Sequence, residues 1–254
     1  FQECGTESMT ITKKSLEYKD ASGKTFEGLL CYPTDLESSN SKRAAVLVLH
    51  AFAGCTDFEK EQAEKLAKQG FVALAADVYG KGVKGTSKEE CFGLMRPLIE
   101  GDRSDLGGRL LAARNAVAGL EFVDGSKIGA IGYCFGGLCA LDMARRNVAG
   151  LKAAVSFHGT LKPIPDAPLG AMEAAVQAHN GQADPHIGKD QITGFYEEMN
   201  ARKADWQFIE HGFALHAFTE PHADSMGVPG VGYQKKAAER SWKIMSGFME
   251  ERLA

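Results

Sequence analysis

The sequence predicts an α/β fold in which a mostly parallel central sheet carries helices on both faces. Three observations point there. Strand-like and helix-like segments alternate from residue 44 onward, the pattern left by parallel strands joined through crossover helices. Two strand-like runs, 44–50 and 71–78, are apolar almost throughout, as strands buried on both faces must be. The 254 residues, 44% hydrophobic and 24% charged, suit one large domain better than two small ones.

Residues 1–11 read as a leader or processing remnant, expected to be flexible, with Met9 a candidate native start. Residues 12–254 are expected to form one domain. Lys13 to Tyr18 and Thr25 to Tyr32 are two strands joined by a turn over Asp20 to Gly23, where Ser22-Gly23 favours reversal. Leu36 to Lys42 is a polar loop, followed by the buried strand 44–50. Thr56 and Glu59 have capping-box spacing; Phe58, Ala63, Leu66 and Ala67 supply the apolar stripe of the next helix, and Gly70 stops it.

After the strand 71–78, Lys81 to Gly101 is polar and glycine-bearing around a short apolar piece at Phe92 to Leu98. It reads equally as a lid-like insertion and as a surface loop with one helical turn. Asp102 to Leu120 is a helix by the spacing of Leu106, Leu110, Ala113, Val117 and Leu120. Then come a strand at 127–132, a helix to about Asn147 and a strand at 151–157. Thr160 to Gly170 holds three prolines and is a loop. Ala171 to Ala178 reads as a strand, though its alanines also permit a helix. Ile192 to Arg202 is a helix, Trp206 to Glu210 a strand, and Lys235 to Arg252 the closing helix.

A net charge of −4 without a basic stripe gives no footing for nucleic acid. No apolar run approaches the ~18 residues of a membrane span, and no secretory signal is visible. Six cysteines stand at 4, 31, 55, 91, 134 and 139 with no C-x-x-C or finger spacing. That argues against structural zinc and for a reduced, cytosolic setting. The histidines lack H-E-x-x-H or H-x-E-H spacing, so a metal centre is not expected.

The chemistry centres on Gly132-Tyr133-Cys134-Phe135-Gly136. This is the G-x-Ser-x-G nucleophile elbow with a thiol in the serine position, and it sits between a predicted strand and a predicted helix as that motif requires. The helix N-terminus favours thiolate over thiol, which makes Cys134 a candidate nucleophile for acyl transfer. The elbow narrows the expectation to an α/β-hydrolase fold.

In that fold the acid and the histidine follow the nucleophile in chain order. Asp184, in Gly181-Gln182-Ala183-Asp184-Pro185, occupies the loop after the candidate strand 171–178. Asp166 precedes that strand and Asp190 reads as a helix cap. His50 and His158 do not have the required order, and His179 and His186 crowd the acid's loop. His211, His216 and His222 all follow the strand 206–210. Of these, His216 has the loop of Gly212, Phe213 and Ala214 before it, while His211 is close to the strand end and His222 follows Pro221. An oxyanion hole needs two aimed backbone N–H groups. Phe135 supplies one, and Phe52, in the loop His50-Ala51-Phe52-Ala53-Gly54, is expected to supply the other.

These segments together resemble the dienelactone hydrolase family. The resemblance spans most of the chain: 26–33, 50–54, Ala76-Asp77-Val78-Tyr79-Gly80, 132–137, 181–184 and His216-Ala217-Phe218. It implies a Cys–Asp–His triad at Cys134, Asp184 and His216, and so selects among the histidines. Members that open dienelactone carry a glutamate where this chain has Ala51, and a carboxylate-binding arginine where it has Glu220. An acid repels a carboxylate, so a different natural substrate is expected.

The expected activity is hydrolysis of a small carboxylic ester or lactone with no cofactor. Cys134 attacks the carbonyl, His216 is the general base, Asp184 orients the imidazole, and a thioester intermediate is cleaved by water. With Ala51 in place of a carboxylate, a resting thiolate–imidazolium pair is expected. The alternative is a non-hydrolytic relative that binds a small molecule or senses oxidants through Cys134, with Cys139 as an awkwardly placed resolving thiol. Nothing in the sequence specifies an oligomeric state.

Overall fold

The computed structural model describes residues 9–165 and 170–254. Residues 1–8, most of the segment expected to be a leader, and Asp166 lie outside these. An eight-stranded sheet runs through the molecule in the order β1-β2-β4-β3-β5-β6-β7-β8. Its strands are β1 (Ile11–Lys19), β2 (Thr25–Pro33), β3 (Arg43–Leu49), β4 (Val72–Ala76), β5 (Val123–Tyr133), β6 (Leu151–Phe157), β7 (Ala175–Gly181) and β8 (Trp206–His211). β1 pairs antiparallel with β2, and β2 with β4; every other pairing is parallel. The helices are α1 (Asp57–Lys68), α2 (Lys88–Ile99), α3 (Ser104–Ala118), α4 (Phe135–Arg145), α5 (Lys189–Ala201) and α6 (Lys235–Leu253).

The alternation of side chains along β3 shows why the sheet has two covered faces. Leu47 and Leu49 join Leu110 and Val117 of α3, Leu138 and Leu141 of α4, and Phe195 and Met199 of α5 in one cluster. Val46 and Val48 join Leu66 of α1 and Met245, Phe248 and Met249 of α6 in the other. The apolar run in β3 is therefore a strand read from both sides.

Three boundaries differ from expectation. β1 begins at Ile11, inside the segment expected to be a leader. The strand expected at 171–178 runs instead from Ala175, where pairing with Ala153 begins, to Gly181. Its polar end, His179 and Asn180, is buried, and polarity is what disguised it. Lys81 to Gly101 contains a full helix rather than a single turn. Ser87 Oγ caps α2 by accepting from Glu90 N–H at 3.2 Å, and Pro97 sits near its C-terminal end. Among the described residues no helix is long and apolar enough to cross a membrane.

Candidate active site

The Cys134 position is built by close backbone packing. β5 ends at Tyr133, α4 begins at Phe135, and Cys134 between them has φ 52° and ψ −111°. Such a conformation is costly for a side-chain-bearing residue and persists only where its surroundings enforce it. The glycines enforce it here. A Cβ on Gly132 would lie 1.9 Å from the Gly136 carbonyl oxygen, and one on Gly136 would lie 2.0 Å from that of Leu49. The sharp turn leaves Cys134 partly exposed at the carboxyl end of the sheet.

Asp184 lies three residues past β7 and is buried. His216 projects from the loop after β8, which is pinned by backbone bonds from His216 N–H to the Gly230 carbonyl and from Gly232 N–H to the His216 carbonyl, each 3.0 Å. The three side chains meet. His216 Nε2 is 3.1 Å from Cys134 Sγ, and His216 Nδ1 is 2.8 Å from Asp184 Oδ2. The second oxygen of Asp184 accepts His186 N–H at 2.8 Å. Burial lowers the proton affinity of His216, but the Cys134 sulfur and the Asp184 carboxylate outweigh it and push the imidazole up to about 11.

The rival residues fall elsewhere. Asp190 lies in the first turn of α5, whose cap is Gly188, so it is not the cap expected. His211 closes β8 and pairs with His179, Nε2 to Nδ1, at 3.1 Å. His222 lies beside Glu220. His50 is fully buried, accepting Val78 N–H on Nε2.

Phe52 and Phe135 both line the cavity that contains Cys134 and His216. Among the described residues neither backbone N–H has an acceptor. Two residues support this region in ways that sequence reasoning did not anticipate. Glu59 completes the expected capping box with Thr56, and its other oxygen also accepts Ala51 N–H at 3.2 Å, tying α1 to the loop that carries Phe52. His158, at the end of β6, accepts Cys134 N–H on Nδ1 at 3.2 Å, and its Nε2 meets Thr219 Oγ1 at 2.7 Å. Burial drives its proton affinity well down, so the ring is neutral. Capping-box spacing flagged Glu59; no local signal marks His158.

The cavity measures about 580 Å³. Its apolar wall includes Phe52, Phe135, Leu138, Met226, Val228 and Val231, and α2 adds Lys88, Phe92, Met95, Arg96 and Ile99. The profile of the dienelactone hydrolase family matches residues 26–253. The chain belongs to the dienelactone hydrolase family. It is thus a hydrolase of the lactone and ester class on an α/β-hydrolase fold. An uncharacterized protein, K02A2.1, of Caenorhabditis elegans is 46% identical over 147 residues, covering 58% of this chain and 93% of that one. A probable 2-oxo-3-(5-oxofuran-2-ylidene)propanoate lactonase of Bradyrhizobium sp is 28% identical, covering 78% and 79%. Among solved structures, the dienelactone hydrolase-like promiscuous phosphotriesterase P91 from metagenomic libraries superposes with a TM-score of 0.89 at 33% identity, covering 96% of this chain and 99% of that one.

Proposed function

We propose that this family member cleaves a small carboxylic ester or lactone through Cys134, His216 and Asp184, by way of a thioester acyl-enzyme. The observation that carries the reading is the unbroken contact line from Sγ through the imidazole to the Asp184 carboxylate, at 3.1 and 2.8 Å. His216 holds its proton beside the sulfur, and in the mechanism we propose Cys134 acts as its anionic partner. Sγ attacks the carbonyl carbon, and the carbonyl oxygen gains the negative charge. The uncommitted N–H groups of Phe52 and Phe135 are suited to receive that charge. As the tetrahedral adduct collapses, the carbon–oxygen bond to the alcohol breaks and His216 gives its Nε2 proton to the departing oxygen. The neutral imidazole then takes a proton from water, the hydroxide cleaves the thioester, and the acid leaves with the thiolate restored. Asp184 holds the imidazole by Nδ1 and stabilises its charge.

Glu220 supports a natural substrate other than dienelactone, since it puts an acid where the members that open dienelactone hold its carboxylate with an arginine. The oxidant-sensing alternative loses its resolving thiol: Cys139 is fully buried, and burial raises its thiol well above the ordinary value. The five described cysteines are free, which suits a reducing compartment.

The test is a panel of activated esters and lactones with the wild type and Cys134→Ala, paired with intact-mass detection of an acyl group on Cys134. We expect turnover and a trapped thioester in the wild type and a loss of about 10³-fold or more in the variant. Turnover that survives Cys134→Ala refutes the proposal.

A further inference from the structure

Glu220 stands four residues after His216, just before the short 3-10 turn Ala223–Met226. Its side chain is only 4% exposed, yet it lines the same cavity as Cys134 and His216. Among the described residues no hydrogen-bond donor reaches its carboxyl. His222 Nε2 is 3.4 Å away and His158 Nε2 4.0 Å, and the latter is engaged by Thr219. The mechanism above gives Glu220 no task. A buried carboxyl with no hydrogen bond from the described residues, and only the half-exposed His222 ring beside it, borders the cavity where an incoming molecule can meet it.

The surroundings decide what that partner can be. The titratable groups facing Glu220 are Glu59 of α1, Tyr133 of β5, His158 after β6, and His216 and His222 on its own segment. Burial and the Glu59 charge push the carboxyl up to about 8, against the opposing pull of His216. At neutral pH it is therefore an uncharged acid with one O–H to donate and one oxygen to accept. The Glu59 charge that keeps the proton in place also opposes a substrate carboxylate there. An ammonium would have to displace the proton and lie near the His216 imidazolium. An alkyl group would leave the O–H unpaired.

We infer that Glu220 is a specificity residue that reads a second, uncharged oxygen on the substrate, a carbonyl or hydroxyl separate from the scissile bond. The inference rests on the hydrolase reading and narrows its substrate class to neutral oxygenated esters and lactones. A site built to hydrogen-bond such a group rejects the analogue that lacks it.

The experiment uses esters sharing one leaving group and differing at one position: alkyl, hydroxyl or keto, carboxylate, and ammonium. Each is assayed with the wild type, Glu220→Gln and Glu220→Leu. The readout is the kcat/KM ratio of the oxygenated ester to its alkyl counterpart. We expect a ratio of about tenfold in the wild type, one within about threefold of that in Glu220→Gln, and a ratio near unity in Glu220→Leu. Raising the pH from about 7 to about 9 should erode the preference in the wild type and leave it in Glu220→Gln. If Glu220→Leu does not fold, this pH comparison decides alone. A ratio unchanged by either the leucine or the pH overturns the inference, as does a wild-type preference for the carboxylate or ammonium ester. Turnover without discrimination removes only this proposal. No turnover of any ester by the wild type removes the hydrolase reading and this inference with it.

Discussion

The proton between Cys134 and Asp184 is the feature on which the site's pH behaviour turns. His216 is held protonated up to about 11 in the folded chain, against 6.5 for a free imidazole. A group whose proton affinity rises on folding stabilises the native state fully below its unfolded value. That contribution is lost as pH climbs toward the folded one. We therefore expect the His216 ring, followed by NMR, to stay charged throughout the neutral range. Cys134→Ala removes one of the charges responsible and should move the titration to lower pH; an unmoved titration would break the link to the sulfur. Asp184→Asn should leave the geometry but cost about 10⁴-fold in kcat. That Cys134, Asp184 and His216 would lie together was legible: the elbow glycines mark the first, the loop after a strand the second, and the family resemblance picks His216 from the three histidines that chain order leaves. His158 was not. Its bond to the Cys134 N–H spans 24 residues and depends on φ 42°, which no local pattern announces. The Cys134 N–H also donates to the Phe157 carbonyl at 3.0 Å. We therefore expect His158→Ala to destabilise by about 1–3 kcal/mol through the lost ring packing and the Thr219 hydroxyl left without its partner, and His158→Asn by less, because asparagine tolerates that backbone region. Urea denaturation of the two variants checks the order.

Among the elements, the strand–elbow–helix unit is the least tolerant of change. Gly132 and Gly136 face backbone oxygens at 1.9 and 2.0 Å from any added Cβ, and backbone cannot step aside as a flexible side chain can. Gly132→Ala or Gly136→Ala should cost at least about 4 kcal/mol or prevent folding; a variant of ordinary stability in denaturant titration would contradict the packing described. This unit was readable in advance because its glycines, its apolar strand and its helix are contiguous. α2 was harder. Its polar, glycine-bearing surroundings and Pro97 broke the helical pattern, and its buried residues are only Cys91 and Leu98. Likewise β7 was misplaced by its start, since alanines carry little preference and the pairing with β6 that selects Ala175 is non-local.

At the scale of the whole molecule, a buried ion network locks the helices of one face together. Asp142 of α4 accepts from Arg103, ahead of α3, and from Arg145, each at 3.1 Å. Arg145 continues to Glu198 of α5 at 2.8 Å, and Arg202 donates to the Arg145 carbonyl. Removing the central charge leaves Arg103 buried without a carboxylate, while Arg145 keeps Glu198. Asp142→Asn should lower unfolding free energy by about 3–5 kcal/mol, read from urea midpoints. The overall architecture was legible because long apolar strands specify a sheet covered on both sides. The network was not, since single charges on separate helices reveal their pairing only once the helices are packed. Glu220 adds a global signature of its own. Its proton is held more tightly in the folded chain, at about 8 against 4.5, so native stability should fall as pH rises between those values. Thermal melts of Glu220→Gln should show a flatter pH dependence than the wild type; parallel slopes would count against a buried acid.

One consequence reaches beyond this chain. The Cys134 sulfur, the His216 imidazole and the two uncommitted amides all belong to the sheet's rim and the turns that leave it, whereas α2 brings Lys88, Phe92, Met95, Arg96 and Ile99 to the cavity. The part of the wall that α2 brings is thus separable from the reactive groups, whereas Glu220 is tied to their segment. Grafting the corresponding helix from a relative should retune which molecules are accepted while the bond-breaking apparatus stays intact.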